Sequence, residues 1–396
     1  MNPSQAPQRT AWLSPAILKP ALAAALLSGL LALALALAHG GNVSALMMLP
    51  DDGPCPQSLG VPPGVVVFTD EGYDGYLYYY IARDLGLEHG CAGGKRYQRI
   101  LYPVLVWLLA LGQDGLIPLM MSLVNVLAIG VGTWLMALWL AELGRPPWLA
   151  LFYGLSLGHV LVIQYALPGA VALLFSLAGA YAYLQRGRAG LAMVLFTLAL
   201  LARETSVLLL APLVLWTLYK RRFKEMIILG LALAPYLAWI GALWLRFGSL
   251  EMMESNVSNV TPDLEGLRLF LSKIDFHSGL RELLRTASSL PYLGFVLLCL
   301  GLGGRSLAQG RSDQERLWSW MLVFMSLASL ILAEGMWGFI SCIGRVTLCL
   351  VPAAIIFAVQ VRGRSGKLLL ASLGGLYLMG LARVYLAGIH DFYVQG

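Results

Sequence analysis

Apolar runs long enough to cross a lipid bilayer recur along this chain, and they leave few architectures open. They lie at roughly 17–38, 117–141, 148–165, 168–184, 189–202, 204–219, 226–246, 288–304, 317–336, 346–361 and 367–388. A helical crossing takes about 20 apolar residues, and hydrocarbon tolerates no unpaired backbone, so a span is a helix or part of a closed barrel. The runs do not alternate polar with apolar, which excludes the barrel. Only 12% of the 396 residues are charged, about half the share of a soluble domain. The expected fold is an all-α polytopic membrane protein, a bundle of about eleven transmembrane helices forming one domain over 1–396, with the lipid bilayer as its partner. The net charge of +6 resides mostly in loops that set topology. Basic patches with interleaved aromatics are missing, so no nucleic-acid partner is expected.

Short basic loops mark the cytoplasmic side. Lys220–Lys224, Arg362–Lys367, Arg305–Arg316 and Gln185–Arg188 are all basic. Eleven spans put all four on one side, and the loops 39–116 and 247–287 and the C-terminal tail on the other. The run 99–112 is only 14 residues long. Counted as a crossing it would split the basic loops between two sides, so it is read as an interfacial or re-entrant helix. Pro20–Ala38 reads as a signal anchor rather than a cleaved signal peptide. No period of 20–50 residues repeats, and no matching broken helices occupy two halves, which weakens an inverted-repeat transporter.

Chemistry concentrates in Thr69–Leu85, on the first outer loop. Asp70, Glu71 and Asp74 lie there among five tyrosines, ahead of an amphipathic helix start. Acids beside a span are costly unless they bind something or react. Asp74 falls at or just before the helix N-terminus, where free N–H groups favour its ionised form, and it serves as a general base or simply as an N-cap. Asp70 and Glu71 are solvated loop acids or substrate contacts. Asp70 with Asp74 also offers the oxygen ligands a Mg²⁺ or Mn²⁺ ion would take. Tyr78–Tyr80 read as an interfacial belt in preference to a substrate-stacking surface, Tyr78 being the substrate-binding candidate. Arg203, Glu204 and Arg345 lie at outer span ends, with Arg96 and Arg99 beside the interfacial helix. This outward basic cluster runs against the usual bias, and arginine suits a phosphate through paired hydrogen bonds. The competing reading is snorkelling, or local pairing of Arg203 with Glu204. His159, in the third span with Gln164, is a helix–helix hydrogen bond or a site residue. Glu334 lines the cavity or meets water, and Arg383 snorkels outward. Loop 247–287 is a lid or a connector. Cys55 and Cys91 share the first loop and form a disulfide if that loop is outside.

An outer-loop acid followed by Tyr78-x-x-Ile81-Ala82-Arg83-Asp84 resembles the start of the GT-C superfamily of membrane glycosyltransferases. That superfamily includes the protein O-mannosyltransferases, the lipid A aminoarabinose transferases and the PIG-V and PIG-M mannosyltransferases. Tyr73-Asp74-Gly75 looks like the aromatic-Asp-Gly of the mannosyltransferases. Aligning the aminoarabinose-transferase pattern on Ile81-Ala82-Arg83 also selects Asp74, while its second acid falls on Gly75. Tyr102-Pro103 looks like the interfacial helix after the acidic motif. Arg203-Glu204-Thr205 is similar to an Arg-x-Thr element, and Gly344-Arg345 before Pro352 to the late arginine near the lipid phosphate. The usual aromatic after that arginine is Val346 here.

The resemblance implies a GT-C-like bundle and a sugar transfer at the outer face. Asp74 would deprotonate an acceptor hydroxyl of a lipid, glycan or protein. The donor would be a polyprenyl-phosphate sugar, its phosphate held by Arg345 and Arg203, and the transfer would invert the anomeric carbon. No cofactor is required, since the leaving phosphate is already anionic. The setting would be a bacterial inner membrane with the site on the periplasmic or extracellular side. A flippase for lipid-linked sugars, or a non-catalytic scaffold, are the alternative expectations.

Overall fold

The computed structural model describes residues 12–69, 72–90, 96–248, 260–274, 288–309, 312–361 and 363–387. They form a helical structure whose one sheet, among the described residues, is a parallel pair of two-residue strands, β1 (Leu49–Pro50) and β2 (Val67–Phe68). The chain enters through α1 (Pro15–Leu37). The first loop then carries α2 (Gly75–Arg83) and α3 (Leu101–Leu109). Next come α4 (Ile117–Glu142), α5 (Leu157–Gln164), α6 (Gly169–Leu184), α7 (Ala189–Ala202), α8 (Val207–Tyr219) and α9 (Leu233–Phe247). The C-terminal third holds α10 (Glu265–Ser272), α11 (Leu290–Ala308), α12 (Asp313–Leu330), α13 (Ile340–Val346), α14 (Leu350–Val361) and α15 (Arg364–Ala387).

Each of the eleven apolar runs falls on a helix or a pair of helices, but most do not make one long span. Five helices are long and apolar enough to cross a bilayer, or up to seven with two bent pairs counted. Residues 147–164 bend by 48° at Leu155–Ser156, and 340–361 by 64° at Thr347–Cys349. Helix α6, at 16 residues, rises only about 24 Å at 1.5 Å per residue, short of a hydrocarbon core of about 30 Å. Helix α12 stops at Leu330, and Glu334–Trp337 forms a separate turn, so the expected run 317–336 is broken near its C-terminal end. Helix α3 has nine residues, about 14 Å of rise, too short to cross.

Helix α1 shows the division of faces. Leu22, Leu26, Leu30, Leu33 and Leu37 are exposed along one stripe, while Ile17, Ala24, Ser28 and Leu35 are buried against the bundle. An exposed leucine stripe at helical spacing fits contact with lipid tails.

Two close approaches locate the site. A Cβ on Gly75 would lie 2.4 Å from the Tyr165 carbonyl oxygen and 2.9 Å from that of Met47. Only glycine lets the start of α2 sit against both backbones. A Cβ on Gly158 would lie 2.7 Å from the Gly344 carbonyl oxygen, so α5 and α13 also pack backbone to backbone. Gly75→Ala is therefore expected to cost about 1–3 kcal/mol and to displace Asp74, its neighbour. A lowered unfolding temperature in detergent checks it, and an unchanged one refutes the close approach.

Candidate functional site

Asp74 occupies the N-cap position of α2, but its side chain caps nothing. The carboxylate is held instead by arginines from two distant segments, which overturns the plain N-cap reading. Arg96 Nη2 donates to Oδ1 at 2.7 Å, and Arg345 Nη1 donates to Oδ2 at 3.3 Å. Burial alone would raise the Asp74 carboxyl, yet Arg96, then Arg345 and Arg99, outweigh it and hold the group well below the usual carboxylate range.

Around this pair stands a second one. Arg99 donates through Nε to Glu204 Oε2 at 2.8 Å and through Nη2 to Oε1 at 2.5 Å, a parallel fork. Its Nη1 donates to the Tyr78 hydroxyl at 2.7 Å. Glu204 thus belongs to Arg99 across 105 residues of chain and not to its neighbour Arg203, so local pairing is corrected. Arg203 Nη1 donates to the main-chain carbonyl of Arg345 at 3.1 Å, and its buried Nε has no partner. Four guanidinium groups and two carboxylates leave this cluster with a net charge of +2.

Arg345 is aimed by its surroundings. Its Nε donates to the Ser341 carbonyl at 2.8 Å, and Nη2 lies 3.8 Å from Cys342 Sγ. The guanidinium carbon sits 4.9 Å from the centre of the Tyr73 ring, within cation–π range. Arg203 and Arg345 together line a small cavity, with Gly169, Ser176, Thr205 and Cys349 among its walls. A larger cleft opens beside Tyr79, Arg83 and Asp114. Those two α2 residues lie roughly 140° and 180° around the helix from Asp74 at 100° per residue, so this cleft is on the opposite face.

The other expected residues separate clearly. Tyr78, Tyr79 and Tyr80 are buried within the protein, so the belt reading fails; Tyr80 donates to the Gly60 carbonyl. His159 is buried, its Nδ1 2.9 Å from the Tyr153 carbonyl and its ring against Tyr153, and it makes no described contact with the arginine cluster. Asp70 and Glu71 lie outside the described residues, as does Cys91; Cys55 is disulfide-bonded. No group of three potential metal ligands occurs among the described residues. Asp84, at the end of the Tyr78–Asp84 motif, organises a loop: its carboxylate accepts from the N–H groups of Glu88, His89 and Gly90 and from the Tyr97 hydroxyl.

Arg383 does not snorkel. It is buried, and donates to Gln164 Oε1 and to the Tyr165 hydroxyl, both at 2.7 Å. Tyr165 stacks on Tyr73 at 4.0 Å between centroids. The sequence reading passed over Tyr73, Tyr165 and Arg383 as site residues. The available signal was a lone cation in an apolar helix, which marks a partner more often than an anchor. In loop 247–287, the described part folds back on the chain before α13: Lys273 Nζ pairs with Glu334 at 2.5 Å, and Phe270 stacks on Trp337. Glu334 is accordingly a surface ion-pair partner.

No family model, no curated protein and no solved structure matches this chain.

Proposed function

We propose that the protein is a GT-C type membrane glycosyltransferase that moves a sugar from a polyprenyl-phosphate donor to an acceptor hydroxyl at the outer face. The observation that carries this reading is one carboxylate, Asp74, held between Arg96 and Arg345 beside the cavity that Arg203 and Arg345 line. A net charge of +2 suits a phosphate anion, and paired guanidinium groups grip its oxygens. The eleven-span arrangement expected from the sequence would put this cluster at the outer ends of the helices that carry it.

In the resting state Asp74 is a weak base, because two arginines stabilise its ionised form. A donor phosphate competes for the same guanidinium groups. As Arg345 turns to the phosphate, Asp74 loses a counter-charge and gains proton affinity. It then takes the proton of the acceptor hydroxyl as the oxygen attacks the anomeric carbon. The bond from that carbon to the phosphate oxygen breaks, and the phosphate leaves held by Arg345 and Arg203. One displacement inverts the anomeric configuration. The leaving phosphate is already anionic and held by arginine, so a metal is not obligatory; a Mg²⁺ or Mn²⁺ ion, if bound, would be held by the Asp74 carboxylate.

Transfer from a panel of radiolabelled polyprenyl-phosphate sugars by purified protein tests the reading. Donor binding without any turnover in wild type would favour a flippase instead. A pH prediction follows from the depressed Asp74 group. In the free enzyme Asp74 stays ionised through the ordinary carboxylate range, so kcat/KM should not fall on its account until well below that range. Arg345→Gln should move this acid limb upward. The same depression makes ionised Asp74 stabilising above its unfolded value, about 3.9, and that stability is lost only as pH falls through the folded value.

A further inference from the structure

We propose that Arg383 is a positioning residue for Arg345, acting through a stack of Tyr165 on Tyr73. The chain of contacts is continuous. Arg383 comes from the last helix, α15, four residues before its described end. It is only 6% exposed, and an uncompensated cation there is costly. Its two described bonds both go to the end of α5, to Gln164 Oε1 and the Tyr165 hydroxyl. That fork fixes the Tyr165 ring, which lies almost parallel to Tyr73, 15° apart at 4.0 Å. Tyr73 in turn is the face on which the Arg345 guanidinium rests, at 4.9 Å. The main chain of Tyr165 also abuts Gly75. Tyr165 thus bears on both residues that flank Asp74.

A side chain that only glued α15 to α5 would need the first link alone. The remaining links lead to the guanidinium that holds Asp74, and each has a geometry that constrains the next. Offset-parallel aromatic rings at this spacing resist sliding, and a cation over a ring face is attracted to it. Moving Arg383 removes its bond to the Tyr165 hydroxyl, lets the stack tilt, and shifts the platform under Arg345. The use of Arg345 on a donor phosphate rests on the reading proposed above; its placement by Arg383 does not.

Cys342 supplies a reporter that needs no substrate. Its Sγ lies 3.8 Å from Arg345 Nη2 and it is a free, partly exposed thiol, while Cys299 and Cys349 are buried. The rate of Cys342 alkylation by iodoacetamide, read on its own peptide by mass spectrometry, depends on how the Arg345 side chain packed against the thiol leaves it open to the reagent. Arg345→Ala, in the full chain, defines the rate without the guanidinium. Arg383→Met and Tyr165→Leu are expected to move the rate most of the way to that value. Tyr165→Phe keeps the ring and loses only the hydroxyl, so it should fold and give an intermediate rate. If Arg383→Met and Tyr165→Phe leave the rate at the wild-type value while Arg345→Ala changes it, Arg383 is structural only and the proposal falls. An unchanged rate in Arg345→Ala would equally overturn it, since the guanidinium would not stand where the chain of contacts needs it. Absence of sugar transfer by wild type would defeat the functional reading and leave this measurement untouched.

Discussion

Asp74→Asn is expected to lower sugar transfer by about 10²–10⁴-fold, the range for losing a positioned general base, while leaving the protein folded. Asparagine matches aspartate in shape, so the close approach of Gly75 to Tyr165 and Met47 survives. The change is one of charge: Arg96 and Arg345 lose their shared anion. That loss also makes a sharp second expectation. With Asp74 neutral the cluster carries more positive charge, so a polyprenyl phosphate should bind as tightly as before or tighter. Weak transfer with retained donor binding is the signature of a missing base. Equal loss of both would say that Asp74 orders the site instead of reacting in it, and near-normal turnover would sink the assignment. Initial rates and donor affinity, measured on the same detergent-purified protein, separate these results.

Glu204→Gln is expected to be the most destabilising change of charge in the cluster, about 3–5 kcal/mol. Arg99 and Glu204 are both largely buried, with side-chain exposures of 8% and 19%. Removing one partner strands the other charge in a low-dielectric interior, and this costs more than the pair contributes. Arg99→Met together with Glu204→Met should recover much of the loss, because replacing a buried ion pair by apolar groups is often near neutral. Apparent unfolding temperatures of Arg99→Met, Glu204→Met and the double variant test this. Additive losses would mean that the fork at 2.5 and 2.8 Å holds no coupled pair in solution. The activity of the double variant carries separate information, since Tyr78 would then lose its donor as well.

Much of the local structure was legible in the sequence. Apolar runs marked every long helix, because lipid-facing and core-facing positions are both apolar in a membrane bundle and the run length tracks the helix. The short run at 99–112 stood out for the same reason, and α3 is indeed too short to cross. Asp74 stood out because a carboxylate next to glycine, in a tyrosine-rich loop between apolar runs, has few neighbours to neutralise it locally. The breaks at Leu155–Ser156 and Thr347–Cys349 were not legible. Neither holds a proline, and each lies inside an apolar run that reads as one continuous span.

The partners of each charge lay further out of reach. Sequence spacing suggested Arg203 with Glu204, whereas the fold gives Glu204 to Arg99 and turns Arg203 towards the carbonyl of Arg345. Adjacent residues at a helix start point in different directions, so proximity in sequence says little about which guanidinium meets which carboxylate. Arg383 shows the same limit from the other side. Alone in an apolar helix it looked like a snorkelling anchor, since nothing in its own segment could satisfy it.

By itself, then, the sequence determined that this is a helical membrane protein and that its acids gather on one loop after the first span. Both follow from periodicity and hydropathy, which are local properties of the chain. Only the tertiary structure decided that Asp74 lies between Arg96 and Arg345, that Tyr78–Tyr80 are core, and that Arg383 reaches Arg345 through two stacked rings. Those contacts join residues 22 to 271 positions apart, and only the packing of helices against one another brings such residues within hydrogen-bonding distance.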